Sequence, residues 1–202
     1  MRDVYLYGAG GHAKVIFDLL KSNDITVSGI FDDNPTIESF MEIPVSHCSV
    51  CYPLIISIGN NRIRKTVAEK INKNIFSSFQ YDKTAIISDK ASIEKGTVVM
   101  QGVIIQSSVK IGKHCIINTG VSIDHDCLIQ DYVHIAPRST LCGNVKVGEG
   151  SFIGAGTVVI PNVRIGKWSV IGAGSVVTRD IPDNVIAYGS PCKIVKQVLI
   201  DV

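Results

Sequence analysis

A six-residue period runs through this chain from Ala85 to Asp180 without interruption, sixteen hexads in all. The third position of each is Ile, Leu or Val, from Ile87, Ile93 and Val99 to Ile171 and Val177. The first position is small or short-branched, from Ala85, Ala91, Thr97 and Val103 to Ser175. An ordinary strand repeats every two residues and a helix every 3.6. A period of six with an obligatory aliphatic marks a β-solenoid, in which each coil stacks on the last. Three hexads make one coil of roughly triangular section, so the stretch holds about five coils. Each buried aliphatic contributes on the order of 1.5–3 kcal/mol. The flat faces read as still apolar at Val103, Ile104, Ile116 and Val121. Exposed apolar faces suggest association, and a triangular prism closes most simply as a trimer.

Hydrophobic content is 46% and aromatic content 6%, which suits a narrow interior filled by Ile and Val rather than rings. Net charge is +2 and no basic block stands out, so nucleic acid is not an expected partner. The N-terminal apolar run is too short and too rich in glycine for a signal peptide. No run reaches membrane-spanning length, so a soluble, cytoplasmic protein with no membrane partner is expected. Of the six cysteines, Cys115 and Cys127 fall on first hexad positions, Cys142 in mid-hexad and Cys192 in the tail. Cys48 and Cys51 form a lone C-x-x-C with only His47 nearby, short of a zinc ligand set. Free thiols and no metal are the expectation.

Residues 1–82 do not follow the hexad. Val4–Tyr7 reads as a strand, Gly8-Ala9-Gly10-Gly11 as a tight turn, and His12–Lys21 as a helix. Thr26–Phe31 and Leu54–Ile58 read as further strands, and Arg62–Ile71 as a second helix. This order predicts a small α/β unit with parallel pairing, ahead of a solenoid domain over 83–202. After Asp180 the hexad breaks at Ile181-Pro182-Asp183-Asn184, and a short tail runs from Tyr188 to Val202.

Gly8-x-Gly10-x-x-Ala13 follows a strand and opens a helix, the context of a dinucleotide fingerprint. Gly10 and Gly11 let backbone approach a phosphate, and the helix start offers unpaired N–H groups. Asp32 and Asp33 follow some twenty residues on, at the end of the second strand, within reach of a ribose or base. The unit is about half a full dinucleotide domain, which favours a mononucleotide over NAD. A turn that merely packs helix on strand is the alternative.

Asp124-His125-Asp126 places three titratable groups in a row at a polar stretch of the solenoid, with Asn118 before it and His134 after. Acyl transfer needs a base that removes a proton at neutral pH, and the ordinary histidine pKa of about 6.5 suits this. A neighbouring carboxylate raises that basicity. Ile123 and Ile129 point inward, so His125, at the fifth hexad position, projects outward at a coil corner. A solvated surface histidine between two acids is the alternative. His114 and His47 lack such a setting and read as surface residues.

Together these residues resemble a known family. The hexapeptide pattern is similar to that of left-handed β-helix acyltransferases. Tyr7-Gly8-Ala9-Gly10-Gly11-His12, Phe31-Asp32-Asp33 and Ile58-Gly59-Asn60-Asn61 resemble the NeuD/PglD branch of bacterial sugar acetyltransferases. So do Asn118-Thr119-Gly120, Asp124-His125-Asp126-Cys127, Val133-His134-Ile135, Cys142-Gly143-Asn144 and Gly189-Ser190-Pro191-Cys192-Lys193. The family tail usually reads Pro-Ala-Lys, and Cys192 stands in place of that Ala. The resemblance implies a Rossmann-like nucleotide-binding domain joined to a left-handed parallel β-helix. It implies a homotrimer that takes acetyl from acetyl-CoA and needs no metal. His125 would be the general base and Asp126 the group that tunes it. Gly10, Gly11, His12, Asp32, Asp33 and Gly59 would hold the nucleotide of the sugar substrate. His134, Gly143, Ala155 and Ala173 match positions along the acetyl-CoA groove. Asn118 would contact either the acceptor sugar or the catalytic histidine.

The expected reaction is N-acetylation of a nucleotide-linked amino-deoxysugar, a 4-amino-4,6-dideoxy sugar, for surface glycan or glycoprotein synthesis. O-acetylation of sialic acid is the alternative within the branch. A non-catalytic solenoid scaffold that senses a nucleotide is the alternative from another class.

Overall fold

The computed structural model describes residues 2–48, 50–71 and 75–198. Met1 and the end of the expected tail, residues 199–202, lie outside the described residues. The N-terminal unit contains β1 (Arg2–Tyr7), α1 (Gly11–Ser22), β2 (Ile25–Phe31), β3 (Ser39–Phe40), β4 (Ile43–Ser46), β5 (Leu54–Ile56) and α2 (Asn61–Lys70). Its sheet runs β3-β4-β2-β1-β5. All pairs are parallel except the β3–β4 hairpin. The hairpin is an addition to the expected order. Its turn residues Met41 and Glu42 have φ of 49° and 67°. That left-handed pair normally calls for Asn-Gly, so the usual hairpin signal is missing.

Helix α1 buries Ala13, Ile16, Leu19 and Leu20 as one stripe. Helix α2 is capped by Asn60, whose side chain accepts hydrogen bonds from the N–H groups of Arg62 and Ile63. Because the strands are parallel, the ends of β2, β1 and β5 all open on one edge. That edge carries Asp32 and Asp33, the glycine turn, and Gly59.

The hexad stretch is a parallel β-helix. Two-residue strands fall on the second and third hexad positions, and each pairs with the strand eighteen residues away, as Ile104–Ile105 does with Ser122–Ile123. The strands form three sheets. The first face includes Ser122–Ile123 and Thr140–Leu141. The second includes Lys110–Ile111 and Leu128–Ile129. The third includes Ile116–Ile117, His134–Ile135 and Phe152–Ile153. Third-position aliphatics from Val99 to Val177 are buried in one continuous core. First-position residues turn inward too, and their hydroxyls are satisfied there. Ser151 Oγ donates to Gly166 O, and Ser169 Oγ donates to Pro182 O at 2.7 Å.

Two expectations about the faces need correction. Val103 and Val121 are first-position residues and sit fully inside the core, not on the faces. Ile116 lies on the third face but is buried with Val98 and Met100 against Ile16, Leu19 and Leu20 of α1. Of the four, only Ile104 keeps partial exposure. These residues therefore do not form a free apolar surface. They show instead where the N-terminal unit docks: on the third face.

His114 is a third correction. It is 3% exposed, not a surface residue. Its ring stacks on Tyr132 at 5.5 Å and meets Phe76 edge-on at 4.5 Å. Burial, followed by the charge of Arg64, holds its pKa down at about 4. His47 is exposed, as expected, and its Nδ1 pairs with Asp32 O at 2.8 Å.

Candidate active site

His125 stands at the corner between the first and second faces. Its side chain is 60% exposed. Nδ1 lies 2.8 Å from Asp126 Oδ2, and the His125 N–H donates to Asp124 Oδ1. With Nδ1 held by Asp126, Nε2 is left to exchange a proton. The hydrogen bond to Asp126, and then the charge of Asp124, raise the imidazole pKa above its ordinary value. Gly143 lies beneath the ring in the next coil. A Cβ there would come within 2.6 Å of Cε1 and 2.7 Å of Nε2. Glycine at 143 is therefore what lets the ring lie against the solenoid.

A second group forms where the N-terminal unit meets the third face. His12, in the first turn of α1, lies 6.1 Å from the ring of His134. Asn118 Nδ2 sits 3.2 Å from His134 Nε2. The buried Nε2 of His12 and Nδ1 of His134 have no hydrogen-bond partner. Burial and then the charge of Arg64 lower His12 to about 4. Burial, Arg64 and then His12 lower His134 to about 3, against a backbone contact with Gly59 that raises it. Both imidazoles are therefore neutral at pH 7. Gly59 closes on this pair, since a Cβ there would lie 3.6 Å from His12 Cβ. A cavity of about 340 Å³ adjoins the turn, lined by Gly59, Asn61, Phe152 and Trp168.

The glycine turn divides its labour. Gly8 has φ of +109°, and a Cβ there would strike Ile58, so the fold itself requires glycine. At Gly10 and Gly11 a Cβ would meet nothing within 4 Å. Packing does not demand glycine there, which leaves backbone open to a ligand. Asp32 is partly committed to the turn, because Oδ2 accepts from Ala9 N at 2.7 Å and Oδ1 from Asn34 N at 2.9 Å. Asp33 accepts from the Tyr7 hydroxyl at 2.6 Å. Burial and then that bond push the Tyr7 pKa upward.

Within one chain these groups do not converge. His125, Asp126 and Gly143 occupy the first-to-second corner. Asn118, Ala155 and Ala173 occupy the third-to-first corner, the two alanines exposed. The first face, with its strand Ser122–Ile123, lies between Asn118 and His125.

The chain has relatives among known proteins. Residues 3–71 match the PglD N-terminal domain. Residues 126–161 and 144–179 match the bacterial transferase hexapeptide with six repeats. A mutant of perosamine N-acetyltransferase from Caulobacter crescentus, solved with CoA and GDP-perosamine, superimposes with a TM-score of 0.92. It is 37% identical, and the match covers 98% of both chains. The chain belongs to the NeuD/PglD-type sugar acetyltransferases, an acetyl-CoA-dependent family. The acetyltransferase domain of PglB from Neisseria gonorrhoeae, in complex with acetyl coenzyme A, is 33% identical with a TM-score of 0.87. That match covers 96% of this chain and 99% of that one. The UDP-N-acetylbacillosamine N-acetyltransferase of Bacillus subtilis is 42% identical over 113 residues, 50% of this chain and 52% of that protein. The matched segments thus span about half or less of the curated relatives' own length.

In this family member the residue that sequence reading overlooked is Arg64. It lies at position i of an i, i+3, i+4 stripe with Val67 and Ala68, the buried face of α2. A charged residue on the apolar stripe of a helix was the available signal. Among the described residues no group of three or more His, Cys, Asp or Glu could hold a metal ion. Nor is any described helix long and apolar enough to cross a membrane.

Proposed function

We propose that this protein transfers the acetyl group of acetyl-CoA to the amino group of a nucleotide-linked amino-deoxysugar, a 4-amino-4,6-dideoxy sugar. The observation that carries the reading is the His125–Asp126 pair. It presents an exposed imidazole of raised basicity, with its outer nitrogen over a glycine that leaves it room. The solved relatives with CoA and GDP-perosamine or with acetyl coenzyme A, and the bacillosamine enzyme, support the substrate class.

In this reading His125 Nε2 takes the proton from the sugar amine as its nitrogen attacks the thioester carbonyl. Asp126 orients the ring and stabilises the imidazolium. A backbone N–H of the coil steadies the oxyanion. The tetrahedral intermediate collapses to an amide, the C–S bond breaks, and the CoA thiolate leaves to take up a proton. Residues 1–82 hold the nucleotide at the open edge of Gly10, Gly11, Asp32, Asp33 and Gly59. His12, His134 and Asn118 meet the sugar and the acyl end. Acetyl-CoA lies along Gly143, Ala155 and Ala173.

Because the first face separates the two corners of one chain, the reading has His125 of one copy serve the site of the next. A homotrimer built on the prism supplies that arrangement. Release of free CoA, followed with a thiol reagent, tests the reading. The panel is UDP-, dTDP- and GDP-linked 4-amino sugars beside free and CMP-linked sialic acid. Turnover on an amino sugar is the expected result. Turnover on sialic acid alone would move the protein to O-acetylation, and none across the panel would leave a nucleotide-sensing scaffold.

A further inference from the structure

The Gly59 turn is held from behind by one side chain. Arg64 of α2 is 1% exposed. Its guanidinium has five N–H groups, and all five donate to acceptors here. Nε donates to His114 O at 2.8 Å. Nη1 donates to Ile58 O at 3.0 Å and Gly59 O at 3.2 Å. Nη2 donates to Asn61 Oδ1 and Tyr132 O, both at 2.8 Å. Every acceptor is neutral, and among the described residues no carboxylate forms an ion pair with Arg64. Burial pulls its pKa down to about 10, so it still carries its charge at pH 7.

Burying a cation without a counter-ion is costly unless dipoles replace its water. An arginine retained only to fill space would be better replaced by Leu or Met. The geometry shows what the dipoles accomplish. Three acceptors lie on the turn, at Ile58, Gly59 and Asn61. The other two lie at the second-to-third corner of the solenoid, one coil apart, at His114 and Tyr132. Asn61 extends the grip to the coil after those, donating from Nδ2 to Gly150 O at 3.0 Å and Ser151 O at 3.2 Å. One planar fork and one amide therefore join the turn to three successive coils.

We propose that Arg64, aided by Asn61, is a positioning residue. It sets the height of the Gly59 turn over the third face, and hence the shape of the turn's open edge and of the adjoining cavity lined by Gly59, Asn61, Phe152 and Trp168, where the nucleotide sugar is received. This rests on the reading that the nucleotide sugar binds at that turn. A lysine keeps the charge but offers a point donor in place of a rigid fork.

The test is steady-state kinetics of Arg64→Lys and Asn61→Ala, beside calorimetric binding of GDP and UDP and hydrogen exchange of the segment 57–63. Arg64→Lys is expected to raise KM for the nucleotide sugar about tenfold, with KM for acetyl-CoA within twofold. Affinity for the preferred nucleoside diphosphate falls in parallel, and exchange across 57–63 speeds up while 157–180, which the clamp does not touch, is unchanged. Asn61→Ala moves the same readouts by about threefold and covers the case in which the lysine variant does not fold. A lowered Tm with both KM values unchanged or raised alike, and unaltered exchange at 57–63, would overturn the proposal. If the wild type binds neither GDP nor UDP and acetylates no amino sugar, the functional reading falls. Exchange at 57–63 still decides whether the clamp exists.

Discussion

Two sets of histidines stand in opposite electrostatic settings. His125 is exposed on a solenoid corner, flanked by two carboxylates, and its proton is held more tightly than usual. His12, His114 and His134 are sealed where the N-terminal unit meets the solenoid, near a buried guanidinium, and their protons are held far less tightly. The residue type is the same, and what differs is cover. An uncovered imidazole next to Asp126 can take up and release a proton at neutral pH. A covered one beside Arg64 stays neutral and serves as a fixed hydrogen-bonding surface or as packing. In the function proposed above, one kind of side chain thus supplies both a base and a binding wall.

The sharpest way to break this contrast is His125→Ala. We expect turnover to fall about 10³-fold, with nucleoside diphosphate affinity unchanged in calorimetry. Near-normal turnover would remove His125 from the chemistry.

Asp126→Asn comes next, at roughly thirtyfold in kcat. The wild-type kcat/KM should rise with pH as His125 loses its proton, with a midpoint above the free imidazole value because Asp126 favours the charged form. Losing Asp126 moves that rise to lower pH and lowers the plateau, since a weaker base remains. A midpoint that stays in place would mean that Asp126 does not tune the ring.

Gly143→Ala probes the space rather than the charge. The added methyl pushes the ring off its seat and costs about tenfold in kcat, while thermal unfolding changes little. An unchanged kcat would show that the seat is not needed.

The covered histidines act on stability and leave the chemistry at His125 alone. Their folded pKa values of about 4, 4 and 3 lie below the unfolded value near 6.5. Below 6.5 the unfolded chain therefore binds more protons. Their contribution to stability is complete above 6.5 and is lost as pH falls toward 4, at about 1.4 kcal/mol per pH unit for each group. His114→Phe keeps the aromatic contacts and removes one such group. The drop in Tm between pH 7 and pH 5 should shrink, and an equal drop in both proteins would show that His114 does not titrate this way.

The register of the solenoid was open to reading because its period is local. Ile123 and Ile129 point inward, so His125 between them must face out, and it does. Cys115 and Cys127 at first positions were legible as buried for the same reason. Val103 and Val121 share that position, and reading them as face residues overlooked their own register. Ile116 and His114 are different. Nothing in their hexads distinguishes them from solvent-facing neighbours, because the cover supplied by α1 and by Phe76 comes from residues about 40 to 100 positions earlier.

The sequence by itself determined the coil, its core and the corner on which His125 stands, because a period-six pattern admits one way of burying its aliphatics. It also marked the glycine turn and the acids Asp32 and Asp33 that follow β2. Only the tertiary structure decided where the N-terminal unit docks, which histidines it seals from water, and that Arg64 binds the Gly59 turn to three coils. It alone showed that His125 stands on one corner of the prism while His12 and His134 meet on its third face. Docking joins surfaces far apart in the chain, and its energy comes from side-chain fit and dipole alignment that no short stretch of sequence encodes.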